Sequence, residues 1–80
     1  MTRVDILQKL NEIFCDVFDE DDLVLREEMT SDDIDGWDSL TQISILATAE
    51  GEFKIKLAIS DTRHLKNIGA LVDLIEQKIN

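Results

Sequence analysis

The stretch GWDSLTQISILATAEGEF, residues 36–53, decides how this chain folds, because an acidic, aperiodic run ends in it and an apolar period begins. Leu40, Ile43, Leu46, Ala49 and Phe53 recur at spacings of three and four, which marks one face of an α-helix. Asp38 stands where such a helix takes its N-cap, and Ser39 is then its first residue. An ordinary serine at that place, directly after Gly36, Trp37 and Asp38, is the feature that the rest of the sequence must explain.

On the N-terminal side, residues 2–18 read as an amphipathic helix with Leu7, Leu10, Phe14 and Val17 on one face and Thr2 with Asp5 as a capping box. From Asp19 to Asp38 the period stops. Leu23, Leu25, Met29 and Ile34 are the expected anchors of this loop, together with Val24 and Trp37. A connection of that length is either functional or tied down by its own side chains. On the C-terminal side, FKIKLAI, residues 53–59, alternates as a strand would. Its one candidate partner is the run Leu23 to Leu25, and an isolated two-stranded pairing is marginal in water, so the segment is read as a connector. A short helical turn near Ser60 to Leu65 precedes a last helix with Ile68, Leu71, Val72, Ile75 and Ile79 in a stripe and Asn67 as its cap. The expected fold is all-α: a small four-helix bundle, three main helices plus one short helix, with a long acidic loop between the first and second helices, in a single domain over residues 1–80.

Eighty residues allow one modest core and hardly an enzyme cleft. At 44% hydrophobic residues and without proline, the chain is a folded, helix-rich domain and not a disordered acidic tail. One cysteine makes no internal disulfide, and MTRVDILQKL lacks the apolar run of a signal peptide or membrane span, so a soluble, reducing, cytoplasmic setting is expected. The net charge of −10 is lopsided: residues 1–38 hold 13 acids and three bases, residues 39–80 five of each. Such a field repels nucleic acid and anionic membranes and steers the domain towards partners with lysine and arginine patches, although a solvated acidic surface for solubility explains the charge as simply.

Three chemistries compete for the acidic loop and the serine. SDDIDGWDSLTQ, residues 31–42, puts Asp33, Asp35 and Gly36 at the third, fifth and sixth places of a calcium loop. Ser31 holds its first place and Gln42 replaces the bidentate glutamate, so no metal site is expected. Nucleophilic catalysis would draw on Ser39, Cys15 and His64, yet Cys15 falls beside the apolar face of the first helix and His64 stands alone near Arg63; no triad can be read and no enzyme is expected. An attachment point needs an exposed hydroxyl on a firm element in a place that tolerates phosphate. A first-turn serine meets those needs, because unpaired N–H groups and the helix dipole favour an anion there; a second capping serine is the plain alternative.

DSL at residues 38–40, followed by a helix ending in Phe53 and then Ile55, resembles the acyl carrier protein family. The likeness extends over essentially the whole chain: the amphipathic first helix, Ile34, Asp35 and Gly36 just before the motif, and LKNIGALVDLI at residues 65–75. The resemblance implies that Ser39 carries 4'-phosphopantetheine, placed there from coenzyme A by a phosphopantetheinyl transferase with magnesium, and that acyl groups ride its thiol as thioesters. It implies a protein that catalyses nothing itself and delivers cargo to acyl-loading and acyl-transferring enzymes of fatty-acid, polyketide or specialised lipid and sugar assembly. Gly36, Trp37, Asp38 and Leu40 support the motif, Asp38 in capping and transferase recognition and Leu40 in the core or at the rim beside the arm. Asp35, Asp38, Thr41, Ile45, Glu50 and Glu52 are the expected contacts with basic docking patches, and a monomer is expected. Thr41 and Ser44 depart from the acids common in fatty-acid carriers, and Ala49 stands where a larger apolar residue is usual. Trp37 before the motif resembles discrete carriers of specialised pathways, and the span from Met1 to Asn80 without linkers resembles a discrete carrier. A peptidyl carrier, or an unmodified acidic module that binds basic proteins, remains the rival.

Overall fold

The computed structural model describes residues 1–62 and 65–79, which form α1 (Arg3–Phe18), a single 3-10 turn (Ser31–Asp33), α2 (Ser39–Phe53), the short α3 (Ile59–Thr62) and α4 (Ile68–Ile79), without a strand among them. This is the expected all-helical architecture. Both α2 and α4 pack on α1, whose fully buried Ile6, Leu10 and Phe14 form the middle of the core.

α1 starts on the expected capping box: Thr2 Oγ1 accepts from Asp5 N at 3.2 Å, and Asp5 Oδ2 accepts from Thr2 N at 3.1 Å. Its buried face is Ile6, Leu10, Ile13 and Phe14, with Leu7 and Val17 half-buried along the edge. The helix closes at Asp19, which takes the left-handed conformation that aspartate tolerates.

The loop that follows is held by its own side chains. Leu25, Met29 and Ile34 are buried and Leu23 and Trp37 half-buried, whereas Val24, grouped with them on the sequence, is 66% exposed because the extended chain turns alternate residues outwards. Asn11 of α1 clips this run: its Oδ1 accepts from Leu25 N at 2.6 Å and its Nδ2 donates to Leu23 O at 3.1 Å. Thr30 and Asp33 then form a second capping box on the 3-10 turn.

The same loop caps α4. The first N–H groups of a helix have no partner within it; here Ile68 N donates to Met29 O at 2.9 Å and Gly69 N to Glu27 O at 2.8 Å. Ala70 N donates to Asn67 Oδ1 at 2.8 Å, so Asn67 is the N-cap that its position implied. Gly69 allows the approach, since a Cβ there would lie 3.2 Å from both Cβ and O of Glu27. Arg3 adds a polar knot across the three segments, paired with Glu27 of the loop and with Asp73 and Glu76 of α4.

The alternating segment is a connector, as expected. Lys54 closes α2 in the left-handed conformation, and Glu50 O accepts from both Lys54 N and Ile55 N. Glu50 Oε2 takes Leu57 N at 2.8 Å, which turns Leu57 into the core. α3 begins at Ile59, one residue before the expected turn; residues 63 and 64 of that expectation lie outside the described residues. In α4, Ile68, Leu71, Val72 and Ile75 are buried, and Ile79 packs against them half-buried.

Two sets of substitutions test this account by urea unfolding. Asn11→Ala leaves Leu25 N–H without its partner and Leu23 C=O with the Cys15 thiol alone, and is expected to cost about 1–3 kcal/mol. Gly51→Ala, in a helix interior with nothing within 4 Å of the added Cβ, is expected to stabilise by about 1 kcal/mol. Gly69→Ala is expected to destabilise, because the Glu27 main chain it meets is held in place by hydrogen bonds and by Arg3.

Candidate functional site at the start of α2

Gly36 turns the loop at φ +85°, a conformation that side chains oppose; a Cβ there would lie 3.9 Å from the Phe18 ring, an ordinary contact, so the backbone conformation and not the space calls for glycine. The next residue, Trp37, is half-buried with its ring edge-on to Phe14, centroids 5.3 Å apart at 87°. Its Nε1 donates to Gln42 Oε1 at 2.6 Å, which joins the end of the loop to the second turn of α2.

Asp38 is the N-cap. Its Oδ1 accepts from Thr41 N at 3.0 Å, while Thr41 Oγ1 accepts from Asp38 N at 2.8 Å and donates to Gly36 O at 3.1 Å. The Thr41 backbone N–H, helped by the Thr41 hydroxyl and the Leu40 N–H, holds the Asp38 carboxyl below the usual carboxylate range. Ser39 follows as the first residue of α2, exposed, and no described residue hydrogen-bonds its hydroxyl. Beside it lies a half-open cleft of about 390 Å³ between the start of α2 and the start of α4, lined on one side by Trp37, Ser39, Gln42 and Leu46 and on the other by Lys66, Asn67 and Leu71.

Several expectations for this region need correction. Ile45, taken as a partner contact, is 0% exposed. The buried face of α2 is Ile45, Leu46, Ala49 and Phe53. Leu40 and Ile43, read as part of that face, are 76% and 50% exposed. The face of α2 that packs inwards is the one that carries Ile45 and Leu46, and Leu40 is left at the rim. Thr41 is half-buried with its hydroxyl committed to the cap, and Glu50 is half-buried with one carboxylate oxygen committed to Leu57. Asp35 and Glu52 are exposed, the latter 3.5 Å from Lys9 Nζ.

Sequence reasoning passed over Ile43 as a surface residue and over Gln42 as a cleft residue. The signal was that Ile43 and Ile45, two apart, cannot share a helix face. The other candidates do not gather at Ser39. Cys15 is half-buried on α1 with its thiol donating to Leu23 O at 3.4 Å, and His64 lies outside the described residues. Asp33 of the calcium-like loop spends Oδ2 on Thr30 N at 2.9 Å, and no three acidic, histidine or cysteine side chains converge on a metal position among the described residues.

The cap sets a pH dependence. Because Asp38 is depressed in the folded state, its contribution to stability is complete above the ordinary carboxylate value of about 4 and is lost as pH falls through the lower folded value. Asp38→Asn keeps the cap oxygen but not the charge. Its thermal midpoint is expected to lie below the parent's at neutral pH, and the gap to narrow as pH drops below about 4, measured by circular dichroism melts across the acid range.

No protein-family model matches the chain. An acyl carrier protein from Petrotoga mobilis is 30% identical over 82 aligned positions, which cover all of this chain and 94% of that protein. The solution structure of the holo acyl carrier protein from Geobacter metallireducens superposes with a TM-score of 0.83 at 42% identity, over 91% of this chain and 84% of the other. With an all-helical bundle and an exposed serine in the DSL motif at the start of its second helix, the chain belongs to the acyl carrier protein family, whose members are carriers and not enzymes and whose prosthetic group is 4'-phosphopantetheine.

Proposed function

We propose that Ser39 carries the 4'-phosphopantetheine arm and that this single 80-residue domain works as a monomeric cytoplasmic carrier of acyl groups. The observation that carries the reading is an exposed hydroxyl without a described partner on the first residue of a capped helix. A phosphodiester there meets the unpaired N–H groups and the positive end of α2, with Lys66 in the adjoining cleft as a further positive charge. During attachment, the bond from phosphorus to the nucleotide part of coenzyme A breaks as the bond to Ser39 Oγ forms, and the hydroxyl proton leaves to the transferase. The bound arm supplies a thiol that holds the acyl group as a thioester, electrophilic at its carbonyl carbon, and a tether that raises its concentration in a partner's active site.

Acyl carrier proteins work with a phosphopantetheinyl transferase and with acyl-handling enzymes. Basic docking patches on those enzymes match a chain of net charge −10. Around Ser39 the exposed carboxylates Asp35 and Asp38 and the exposed apolar side chains of Leu40 and Ile43 form the contact face. The low charge density of α2 and Trp37 before the motif favour a discrete carrier of a specialised pathway over a general fatty-acid carrier. No helix among the described residues is long and apolar enough to cross a membrane, and neither nucleic acid nor a lipid surface suits the charge.

Intact mass after incubation with coenzyme A, magnesium and a broad-specificity transferase tests the assignment. One phosphopantetheine is expected on the parent, on Ser31→Ala and on Ser60→Ala, and none on Ser39→Ala. Modification at another serine would overturn the site.

A further inference from the structure

Loading this carrier meets an electrostatic obstacle that its own charge creates. Coenzyme A is a polyanion, and its phosphates must reach Ser39, which directly follows Asp38 in a chain of net charge −10, with 13 acids and three bases ahead of the serine. Like charges repel over that approach, and the dipole of α2 offsets the repulsion only within its first turn. Among the described residues that line the cleft beside Ser39, Lys66 is the one with a positive charge. It is exposed and makes no ion pair with a described carboxylate. The carboxylates of the hollow on its other side are committed elsewhere, Glu27 and Asp73 to Arg3 and Glu28 to Arg26. Asp38, in the cleft itself, gives Oδ1 to Thr41 N. The backbone that bears Lys66 is also fixed: Asn67 caps α4, and Ile68 N and Gly69 N are bonded to Met29 O and Glu27 O of the loop that leads into Ser39. A flexible four-carbon stem on that fixed base leaves the ammonium free to meet an anion at the serine.

We propose that Lys66 takes part in the loading of this carrier, its ammonium contacting the phosphoryl group of coenzyme A as that group passes to Ser39 Oγ. The inference rests on Ser39 as the attachment point. In the step, the bond from the transferred phosphorus to the bridging oxygen breaks and leaves its electron pair on adenosine 3',5'-bisphosphate. The bond to Ser39 Oγ forms, and the hydroxyl proton passes to a base on the transferase. Negative charge is spread over the phosphoryl oxygens in the transition state, and a cation already placed beside them favours it. The carrier thus supplies a charge for its own modification, in addition to the metal that the transferase brings.

The test follows intact mass through a single turnover, with a broad-specificity transferase, coenzyme A and magnesium in excess over the apo protein. Two quantities are read: the maximal rate, and the transferase concentration that gives half of it. Lys66→Met is expected to lower the maximal rate about tenfold and to leave the half-saturating concentration near the parent's, while still ending with one phosphopantetheine on Ser39. Lys66→Arg, which keeps the charge, is expected to restore most of the rate. Lys56→Met removes an equally exposed cation of the connector, outside the cleft lining, and is expected to behave as the parent. Circular dichroism checks that every variant is folded. A parental maximal rate in Lys66→Met would overturn the inference and leave Ser39 standing. So would a raised half-saturating concentration at an unchanged maximal rate, since Lys66 would then be a docking contact only. An equal loss in Lys56→Met, which would make the effect one of net charge, or a Lys66→Arg variant as slow as Lys66→Met would overturn it as well. Absence of any mass gain on Ser39 in the parent would overturn the attachment reading and this inference with it.

Discussion

The hydrogen bonds from Ile68 N and Gly69 N of α4 to Met29 O and Glu27 O are the constraint on which the rest of this structure depends. They satisfy two of the orphan donors of α4 with carbonyls from a loop whose regular structure is a single 3-10 turn. The loop is thereby fixed to one end of the bundle, and its own end delivers Gly36, Trp37 and Asp38 to the start of α2. Because both α2 and α4 rest on α1 rather than on each other's starts, a cleft stays open between those starts, with Ser39 in its lining.

Division of labour at the start of α2 follows from that arrangement. Asp38 and Thr41 spend their polar groups on each other and on Gly36, which gives the helix a firm beginning without involving the serine between them. Trp37 ties the same point to Phe14 in the core and to Gln42 on the helix, so the residue next to Ser39 is braced from two directions. A serine on so stiff a base is a suitable anchor for a mobile arm, since the arm's reach is then set by its own length and not by motion of the protein.

The helices were legible in the sequence because their signals are local. The capping pair Thr2 with Asp5, the N-cap aspartate Asp38 and apolar residues at spacings of three and four are written into a single segment and need no partner to be read. The connector after Phe53 was legible by a different route: its alternation imitates a strand, but the chain contains nothing adequate for it to pair with. The buried face of α2 was misread at its first turn. Leu40 and Ile43 have the right spacing for the core, but Ile45, Leu46, Ala49 and Phe53 offer a second apolar face on the same helix, and packing on α1 selects that one. Ile45 was misplaced for the same reason, as the true face is rotated towards it.

The sequence by itself determined the helical class, the order of the elements, the cap at Asp38 and the singular position of Ser39, since each depends on residues within one or two turns of one another. Tertiary structure alone decided which face of α2 is buried, that Glu27 and Met29 carbonyls cap α4, and that Gln42 on α2 lines a cleft together with Lys66 and Asn67 from just before α4. Those outcomes depend on backbone groups and on side chains 24 to 42 positions apart meeting in space. No local period or motif records such meetings, because a backbone carbonyl is the same in every residue and a donor becomes available only once its neighbours have chosen their partners.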